Sequence, residues 1–244
     1  MQGVLVLNSS GQTIAAFAVG DSIEVDGAPI DLGGAFDGVS VGATETHAVT
    51  TVSEFGGSRI LFADLETGAV TTTEFPEPEA EAANPSRAAF DAAGAAWVAG
   101  RRSNAIYTAV PGEATATRVA SDVGAFVEAV LPIGMELAAV DANVDDDGGT
   151  YAPLGPSRVF VLDGSTGSVL DTIQLPAGAV NALDAVVVGD RLVVLLGGTL
   201  DPLTFAPTGD GGLVTVDLPA RATGPFHPLD ANGVAIEAGA DGVV

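Results

Sequence analysis

The stretch Arg59-Ile-Leu-Phe-Ala-Asp64-Leu-Glu-Thr67-Gly68-Ala-Val70 has a close copy later in the chain, Arg158-Val-Phe-Val-Leu-Asp163-Gly-Ser-Thr166-Gly167-Ser-Val169. In both copies an apolar strand runs into a turn, where Asp can accept backbone hydrogen bonds and Gly can supply a positive φ. A second strand then returns antiparallel to the first. A third copy, Leu213-Val-Thr-Val-Asp217-Leu, keeps the first half of the phrase. The phrase therefore predicts a repeated β-hairpin.

The hairpin belongs to a longer repeat. Strand-like runs recur at spacings of 46 to 55 residues around Ile14, Ile60, Ile106, Val159 and Val214. Each copy of the phrase is preceded by a second apolar hairpin, which makes four strands per repeat. Gly, Asp, Pro and Ser clusters separate the runs, as turns do in all-β folds. We therefore predict an all-β chain, a β-propeller of four-stranded antiparallel blades with about five blades.

The repeat predicts one β-propeller domain over residues 1–244. Its expected blades are listed in chain order: 1–37 plus 233–244, 38–84, 85–122, 123–178 and 179–232. The chain opens with what looks like the second strand of a blade, Gly3 to Asn8, and closes with an inner strand, Val234 to Ala238. We expect these N- and C-terminal strands to pair and close the ring. The alternative is a slice of a larger ring of about six to eight blades.

The turns at Asp64-Thr67-Gly68 and Asp163-Thr166-Gly167 resemble those of bacterial β-propeller repeat proteins, the surface-binding or quinoprotein-like propellers with V-D-x-x-T-G-x-V blades. The resemblance spans the whole chain. It implies a propeller from an extracytoplasmic bacterial protein, secreted or at the cell surface. Propellers of this kind include scaffolds, receptors and a few lyases and lactonases, so the resemblance leaves the function open.

The charge balance excludes some partners. The chain has 32 acidic residues against eight arginines and no lysine, which gives a net charge of −24. Such a chain repels phosphate backbones and anionic membrane surfaces, so we predict that it binds no nucleic acid. An acidic surface keeps an apolar, Gly-rich protein soluble, and we expect a monomer. Cation binding and adaptation to high salt are the alternatives.

Other features of the sequence narrow its chemistry. Cysteine is absent, which excludes disulfides, thiolate metal sites and cysteine nucleophiles. No apolar stretch is long enough for a membrane span, and the first residues, Met-Gln-Gly-Val-Leu-Val-Leu-Asn, show no signal peptide. His47 and His227 lie in different repeats and are expected to be ordinary strand or loop residues. We predict no catalytic residues.

One acidic segment resembles part of a calcium loop. From Asn143 the sequence places oxygen-bearing side chains at alternate positions, Asn143, Asp145 and Asp147, followed by Gly148. Such spacing lets a loop wrap a hard cation. Leu154 stands where an EF-hand would have its bidentate Glu. The segment therefore predicts a partial calcium site, and the alternative is a solvated acidic hairpin tip.

The sequence favours a non-enzymatic binding or scaffold module, part of a larger extracytoplasmic bacterial protein, with an unidentified protein or glycan as its ligand. Loops on a rigid scaffold usually carry such binding, and the segment from Asp201 to Gly212 is a second long insertion. The alternative is a lactonase- or lyase-like propeller enzyme with a metal at the central channel. Convergence of Glu, Asp, Asn and His side chains on that channel would favour the enzyme.

Overall fold

The structure is a computed structural model. It describes residues 2–8, 12–19, 23–25, 27–33, 38–53, 57–76, 83–146, 151–201, 204, 206, 208–232 and 236. Strands, turns and loops account for all of these residues. Within this part of the chain no helix is long and apolar enough to span a membrane.

Among the described residues, the strands form five sheets of four strands each and one small hairpin. Sheet I consists of β1 (Gln2–Asn8), β2 (Thr13–Val19), β3 (Ile23–Val25) and β4 (Ile30–Asp31). Sheet II consists of β5 (Gly38–Ala43), β6 (His47–Val52), β7 (Arg59–Asp64) and β8 (Val70–Glu74). Sheet III consists of β9 (Pro85–Phe90), β10 (Ala96–Gly100), β11 (Ala105–Ala109) and β12 (Thr117–Ala120).

Sheet IV consists of β13 (Val127–Ile133), β14 (Glu136–Asp141), β17 (Arg158–Asp163) and β18 (Val169–Gln174). The hairpin of β15 (Val144–Asp145) and β16 (Ala152–Pro153) is inserted between β14 and β17. Sheet V consists of β19 (Ala182–Val188), β20 (Arg191–Leu196), β21 (Gly212–Asp217) and β22 (Ala222–Pro228). In sheets II to V each strand neighbours the next one in the chain, whereas in sheet I β3 and β4 both pair with β2. The predicted all-β architecture of four-stranded antiparallel sheets is confirmed.

The chain divides into two compact units. The first unit comprises Met1–Ser103 and Tyr107–Arg118, and the second comprises Asn104–Ile106 and Val119–Val244. The expectation of a single domain with the blade boundaries given above stays a prediction.

The core of the first unit contains a layer between sheets I and II. Its buried members are Ile14, Leu32, Ala48, Val52, Leu61 and Ala63. These side chains alternate along their strands with residues that face the other way, as the period of two in a β-strand requires. All six buried members are aliphatic, so the layer between the two sheets is apolar.

The second unit is built in the same way. One buried cluster joins sheets IV and V, and it includes Ala129, Val140, Val159, Ala185, Leu192, Val194 and Val214. Alanine and the branched residues Val, Leu and Ile make up the whole cluster. This composition is typical of sheets that stack face to face.

The repeat of the sequence corresponds to a repeat of packing. Ile60, Ile106, Val159 and Val214 lie on the third strands of sheets II to V, and Ile14 lies on β2 of sheet I. Each of the five side chains is at most 1% exposed. From sheet II to sheet V, the spacing detected in the sequence is therefore the spacing of one buried position on the third strand.

The predicted closure of the ring concerns residues 233–244, which lie outside the described residues except for Ile236. The Ile236 side chain packs against Val186 and Leu195 of sheet V. Its backbone N–H donates to the Asp184 carboxylate at 3.2 Å. The five-blade ring stays a prediction.

Candidate functional site

A cleft of about 840 Å³ lies between sheets I and II in the first unit. We call it the acidic cleft. Sheet I contributes residues of β1, β2, β4 and the segment 27–29. Sheet II contributes the turn after β5 and the turn between β7 and β8. Its volume falls in the range that holds a small-molecule ligand.

The inner part of the acidic cleft is apolar. Leu5, Ile14, Phe17 and Ile30 form its walls. Ile14 is buried in the core layer, while the other three are half-buried and present the rest of their surface to the opening. A ligand in the cleft would therefore cover apolar surface that water now contacts.

The rim of the acidic cleft carries negative charge. Asp31, Glu45 and Glu66 are exposed and are the charged residues that line it. One oxygen of Asp31 accepts the Gly33 N–H at 2.9 Å. No described group forms a hydrogen bond or ion pair with the side chain of Glu45 or Glu66. The sequence-based interpretation did not identify these three residues. The only available signal was that Glu45 and Glu66 lie in turns at the same end of sheet II.

The turn at one side of the cleft is held by Asp64. Its Oδ1 accepts the backbone N–H groups of Glu66 at 3.0 Å and Thr67 at 2.7 Å, while its carbonyl accepts the Gly68 N–H at 2.9 Å. Gly68 has a φ of +73°. The turn is thus fixed from within, and it holds the Glu66 backbone at the rim without help from a ligand.

The turn position of Gly68 recurs at Gly167 and Arg221, and its surroundings differ among the three. Gly68 borders the acidic cleft, and a β-carbon placed on it would meet no atom within 4 Å. At Gly167 a β-carbon would lie 2.2 Å from the Val119 carbonyl oxygen, so backbone closes that space. In sheet V the position is Arg221, whose Nη2 donates to Glu136 of sheet IV at 2.5 Å. Of these three positions, only the one in the first unit opens into a large cleft.

A smaller pocket of about 440 Å³ lies between sheets IV and V in the second unit. The Arg221 to Glu136 ion pair lines it, together with Asp190 and apolar residues such as Ile133 and Leu218. Arg221 adopts a φ of +52°, a strained value for a residue with a β-carbon. The ion pair joins sheet V to sheet IV across this pocket.

The structure describes the predicted calcium segment as far as Asp146. The Asn143 side-chain amide donates to the Pro156 carbonyl at 2.9 Å. Asp145 is exposed and pairs with Ala152 in the β15–β16 hairpin, whereas Asp147 lies outside the described residues. No group of three or more His, Asp or Glu side chains suited to a metal occurs among the residues that the structure describes. The calcium site stays a prediction.

The residue that organises this segment is Asp141, whose role the sequence did not reveal. Its carboxylate is completely buried. Oδ1 accepts the N–H groups of Ala125, Phe126 and Asn143 at 3.0, 2.7 and 3.2 Å. Oδ2 accepts Nε of Arg158 at 3.0 Å and Nη2 at 2.5 Å. The group is therefore a structural anchor of sheet IV.

The segment from Asp201 to Gly212 has internal contacts of a similar kind. Asp210 accepts the backbone N–H and the hydroxyl of Thr199, both at 2.7 Å. Asp201 accepts the N–H of Thr204 at 2.8 Å. The described contacts of both carboxylates thus close the loop on itself.

Buried carboxylates also occur on the first strands of sheets IV and V. Glu128 on β13 is 6% exposed and Asp184 on β19 is 8% exposed. The two oxygens of Asp184 accept the N–H groups of Ala185 at 2.8 Å and Ile236 at 3.2 Å. The contacts shown for Asp184 are thus with backbone N–H groups. The alternative of a lactonase- or lyase-like enzyme stays a prediction.

The two histidines belong to different units. His47 begins β6 in the first unit, where its Nδ1 lies 2.9 Å from the Thr46 hydroxyl. His227 lies on β22 in the second unit and is exposed. Each is a strand residue.

Three of the described carboxylates have lowered pKa values. Hydrogen bonds from Thr67, chiefly through its backbone N–H, lower the pKa of Asp64. The Ser165 hydroxyl and the Thr166 backbone N–H do the same for Asp163. Burial acts to raise the pKa of Asp210, but hydrogen bonds from Thr208 and Thr199 outweigh it and the pKa is lowered.

The lowered pKa values predict that the folded protein loses stability in acid. A folded-state pKa below the ordinary Asp value of 3.8 stabilises the folded protein above that pH. The stabilisation is lost as the pH falls from 3.8 through the lower folded value. We expect thermal unfolding measured from pH 6 to pH 2 to show a smaller loss of stability in the Asp64→Asn/Asp163→Asn double variant than in the natural protein. Equal losses would contradict this prediction.

Comparison with solved structures identifies the fold. The chain is similar to Kuenenia stuttgartiensis hydrazine synthase, with 17% identity, a TM-score of 0.67, and coverage of 92% of this chain and 62% of that one. It is similar to a streptogramin B lyase, with 11% identity, a TM-score of 0.67, and coverage of 98% and 73%. It is also similar to the Pan2 WD40 domain of Neurospora crassa, with 11% identity, a TM-score of 0.61, and coverage of 95% and 67%. These neighbours are β-propeller proteins, which supports a propeller repeat protein.

The other comparisons add no family. No protein-family model matches the sequence, and no curated protein matches it. The chain spans less than two thirds of the hydrazine synthase chain that it resembles. At identities of 11–17% these similarities concern the fold alone.

Proposed function

We propose that this chain is a non-enzymatic binding module within a larger extracytoplasmic protein and that the acidic cleft is its ligand site. The observation that carries the proposal is the open, apolar-walled cleft of about 840 Å³ in the first unit. Ligand sites are usually concave, mostly apolar, and edged by a few polar groups. The acidic cleft is concave, has apolar walls and carries three carboxylates at its rim.

The scaffold around the cleft suits a preformed site. Its walls lie on paired strands, and the turn that bears Glu66 is held by the Asp64 hydrogen bonds. Sites on paired strands lose less freedom on binding than sites on free loops. Binding by this module would therefore require little rearrangement of the first unit.

Filling the cleft tests this proposal. Ala28 and Ala43 line the cleft and are exposed, so phenylalanine at either position fits on the surface while occupying the opening. We expect compounds from a chemically diverse library to raise the melting temperature of the natural protein and of an Ala92→Phe control. The same compounds should have little effect on Ala28→Phe/Ala43→Phe. Ala92 is an exposed turn residue that does not line the cleft.

The melting temperature of the filled variant shows whether the compounds bind in the acidic cleft. Loss of the stabilising shift only in the filled variant supports the acidic cleft as the site. If every compound shifts the filled variant and the natural protein alike, the cleft is not the ligand site and the proposal is wrong. The measurement is the melting temperature at saturating ligand, which rises when a ligand binds only the folded state.

The calcium site is proposed separately, on the acidic segment that contains Asn143, Asp145 and Asp147. Calcium bound there raises the melting temperature, and a chelator reverses the rise. With free calcium at a hundred times its dissociation constant, the free energy of unfolding increases by about 2.7 kcal/mol. We expect Asp145→Asn/Asp147→Asn to abolish the response and Asp171→Asn to retain it. A melting temperature that is the same with calcium and with chelator overturns the proposal.

A further inference from the structure

From the lining of the acidic cleft we infer that its ligand is a small organic cation, an apolar body that carries a protonated or quaternary amine. This inference rests on the proposed function, because it names the ligand class of the same site. It depends on two properties of the lining that act on different parts of a ligand.

The first property is the apolar inner surface. Leu5, Phe17 and Ile30 are half-buried walls, and Ile14 lies behind them in the core layer. Such a surface favours an alkyl or aryl body, because covering it removes apolar area from water. A free inorganic cation makes no use of these walls. A sugar would need more hydrogen-bonding groups than the walls supply.

The second property is the sign of the rim charge. Asp31, Glu45 and Glu66 are acidic, and no arginine lines the cleft. The carboxylates of Glu45 and Glu66 are not engaged by any described side chain, and Asp31 has one oxygen bonded to the Gly33 N–H. A ligand cation at the rim would meet three negative charges without having to displace a protein cation. A ligand anion would be repelled by the same three groups.

The half-buried Phe17 ring adds to this preference. It lines the cleft together with the acidic rim residues. An aromatic face attracts ammonium groups through its quadrupole, and quaternary ammonium ligands are often recognised in this way. Apolar contact and attraction of a cation therefore act at the same cleft.

The smaller pocket of the second unit provides an internal contrast. There, Arg221 is paired with Glu136 across the opening. A ligand cation would have to compete with that arginine for the carboxylate. The inference therefore applies to the acidic cleft alone.

Three probes of similar shape test the inference: phenethylammonium, neutral 2-phenylethanol and anionic 3-phenylpropanoate. Calorimetric titration of the full chain at low salt should show phenethylammonium binding at least about tenfold more tightly than the neutral probe. The anion should bind more weakly still. Added sodium chloride should reduce the affinity of the cation and leave that of the alcohol nearly unchanged, because salt screens charge.

A matched pair of variants separates the rim from the overall charge. Asp31→Asn/Glu45→Gln/Glu66→Gln removes the three rim charges. Glu74→Gln/Glu113→Gln/Asp190→Asn removes three exposed charges that do not line the cleft. We expect only the rim variant to lose about tenfold in affinity for phenethylammonium. Equal losses in both variants mean attraction by the net charge of the whole chain, which overturns the inference.

The filled variant Ala28→Phe/Ala43→Phe distinguishes the inference from the proposed function. If the neutral or anionic probe binds as tightly as the cation, and filling the cleft abolishes that binding, the cleft is a ligand site and the cation preference is wrong. If filling the cleft changes the binding of no probe, both the inference and the proposed function are overturned. Circular dichroism of each variant checks that it is folded.

Discussion

Alanine in place of Asp141 is expected to destabilise the second unit by about 3–5 kcal/mol, the usual result of removing one partner from a buried ion pair. The carboxylate is completely buried and binds Arg158 through two nitrogen atoms. It also accepts three backbone N–H groups. The alanine variant would leave the partly buried Arg158 cation and three backbone amides without their acceptor.

The measurement is the midpoint of thermal unfolding. At about 2–4 °C per kcal/mol for a chain of this size, the expected fall is about 6–20 °C. Asp171→Ala is the control, because the one hydrogen bond shown for its carboxylate is with the N–H of the next residue, Thr172. Asp141→Asn should have an intermediate effect, since its side-chain oxygen can still accept N–H groups while the ion pair is lost. A fall of less than 2 °C for Asp141→Ala would show that the anchor is not important for stability.

The second large effect is expected at Gly167, with Gly68 as its matched control. Both glycines occupy the same turn position, with φ values of +69° and +73°. Alanine at either position must adopt the left-handed conformation, which destabilises the folded protein by about 1–2 kcal/mol. At Gly167 the added β-carbon would also lie 2.2 Å from the Val119 carbonyl oxygen, so backbone must move. Overpacking of that kind costs about 1–3 kcal/mol more.

We therefore expect Gly167→Ala to lose about 2–5 kcal/mol and Gly68→Ala about 1–2 kcal/mol in urea unfolding experiments. Because the turn phrase and the φ values match, the difference between the two variants measures packing against Val119. Equal destabilisation by the two substitutions would mean that the Gly167 turn does not pack closely in solution.

Much of the fold could be predicted because its signals are local. Alternating apolar residues indicate strands, and the Asp-x-x-Thr-Gly phrase indicates the turn between them. The Ala-rich segment before Ala96 contains Pro85 and Gly94, which disfavour a helix, and the structure has β9 and β10 there. The recurrence of these signals at a regular spacing was enough to predict repeated four-stranded sheets.

The candidate site could not be predicted in the same way. Asp141 precedes an acidic run in which every carboxylate looks equivalent in the sequence. The register of β14 against β17 places Asp141 opposite Arg158, and that pairing selects one carboxylate for burial. The rim residues Asp31, Glu45 and Glu66 come from three separate turns and strands, so only packing of sheets I and II brings them around one cleft.

The sequence by itself determined the strands, the turns and their repetition, because backbone hydrogen bonds and alternating burial act between neighbours in the chain. Only the tertiary structure decided what lies beside the turn in each repeat. At the position shared by Gly68, Gly167 and Arg221, one repeat has an open cleft, one has a close backbone contact and one has an ion pair. The physical reason is that the space beside a turn is set by the side chains of the adjacent sheet, which the turn's own sequence does not contain.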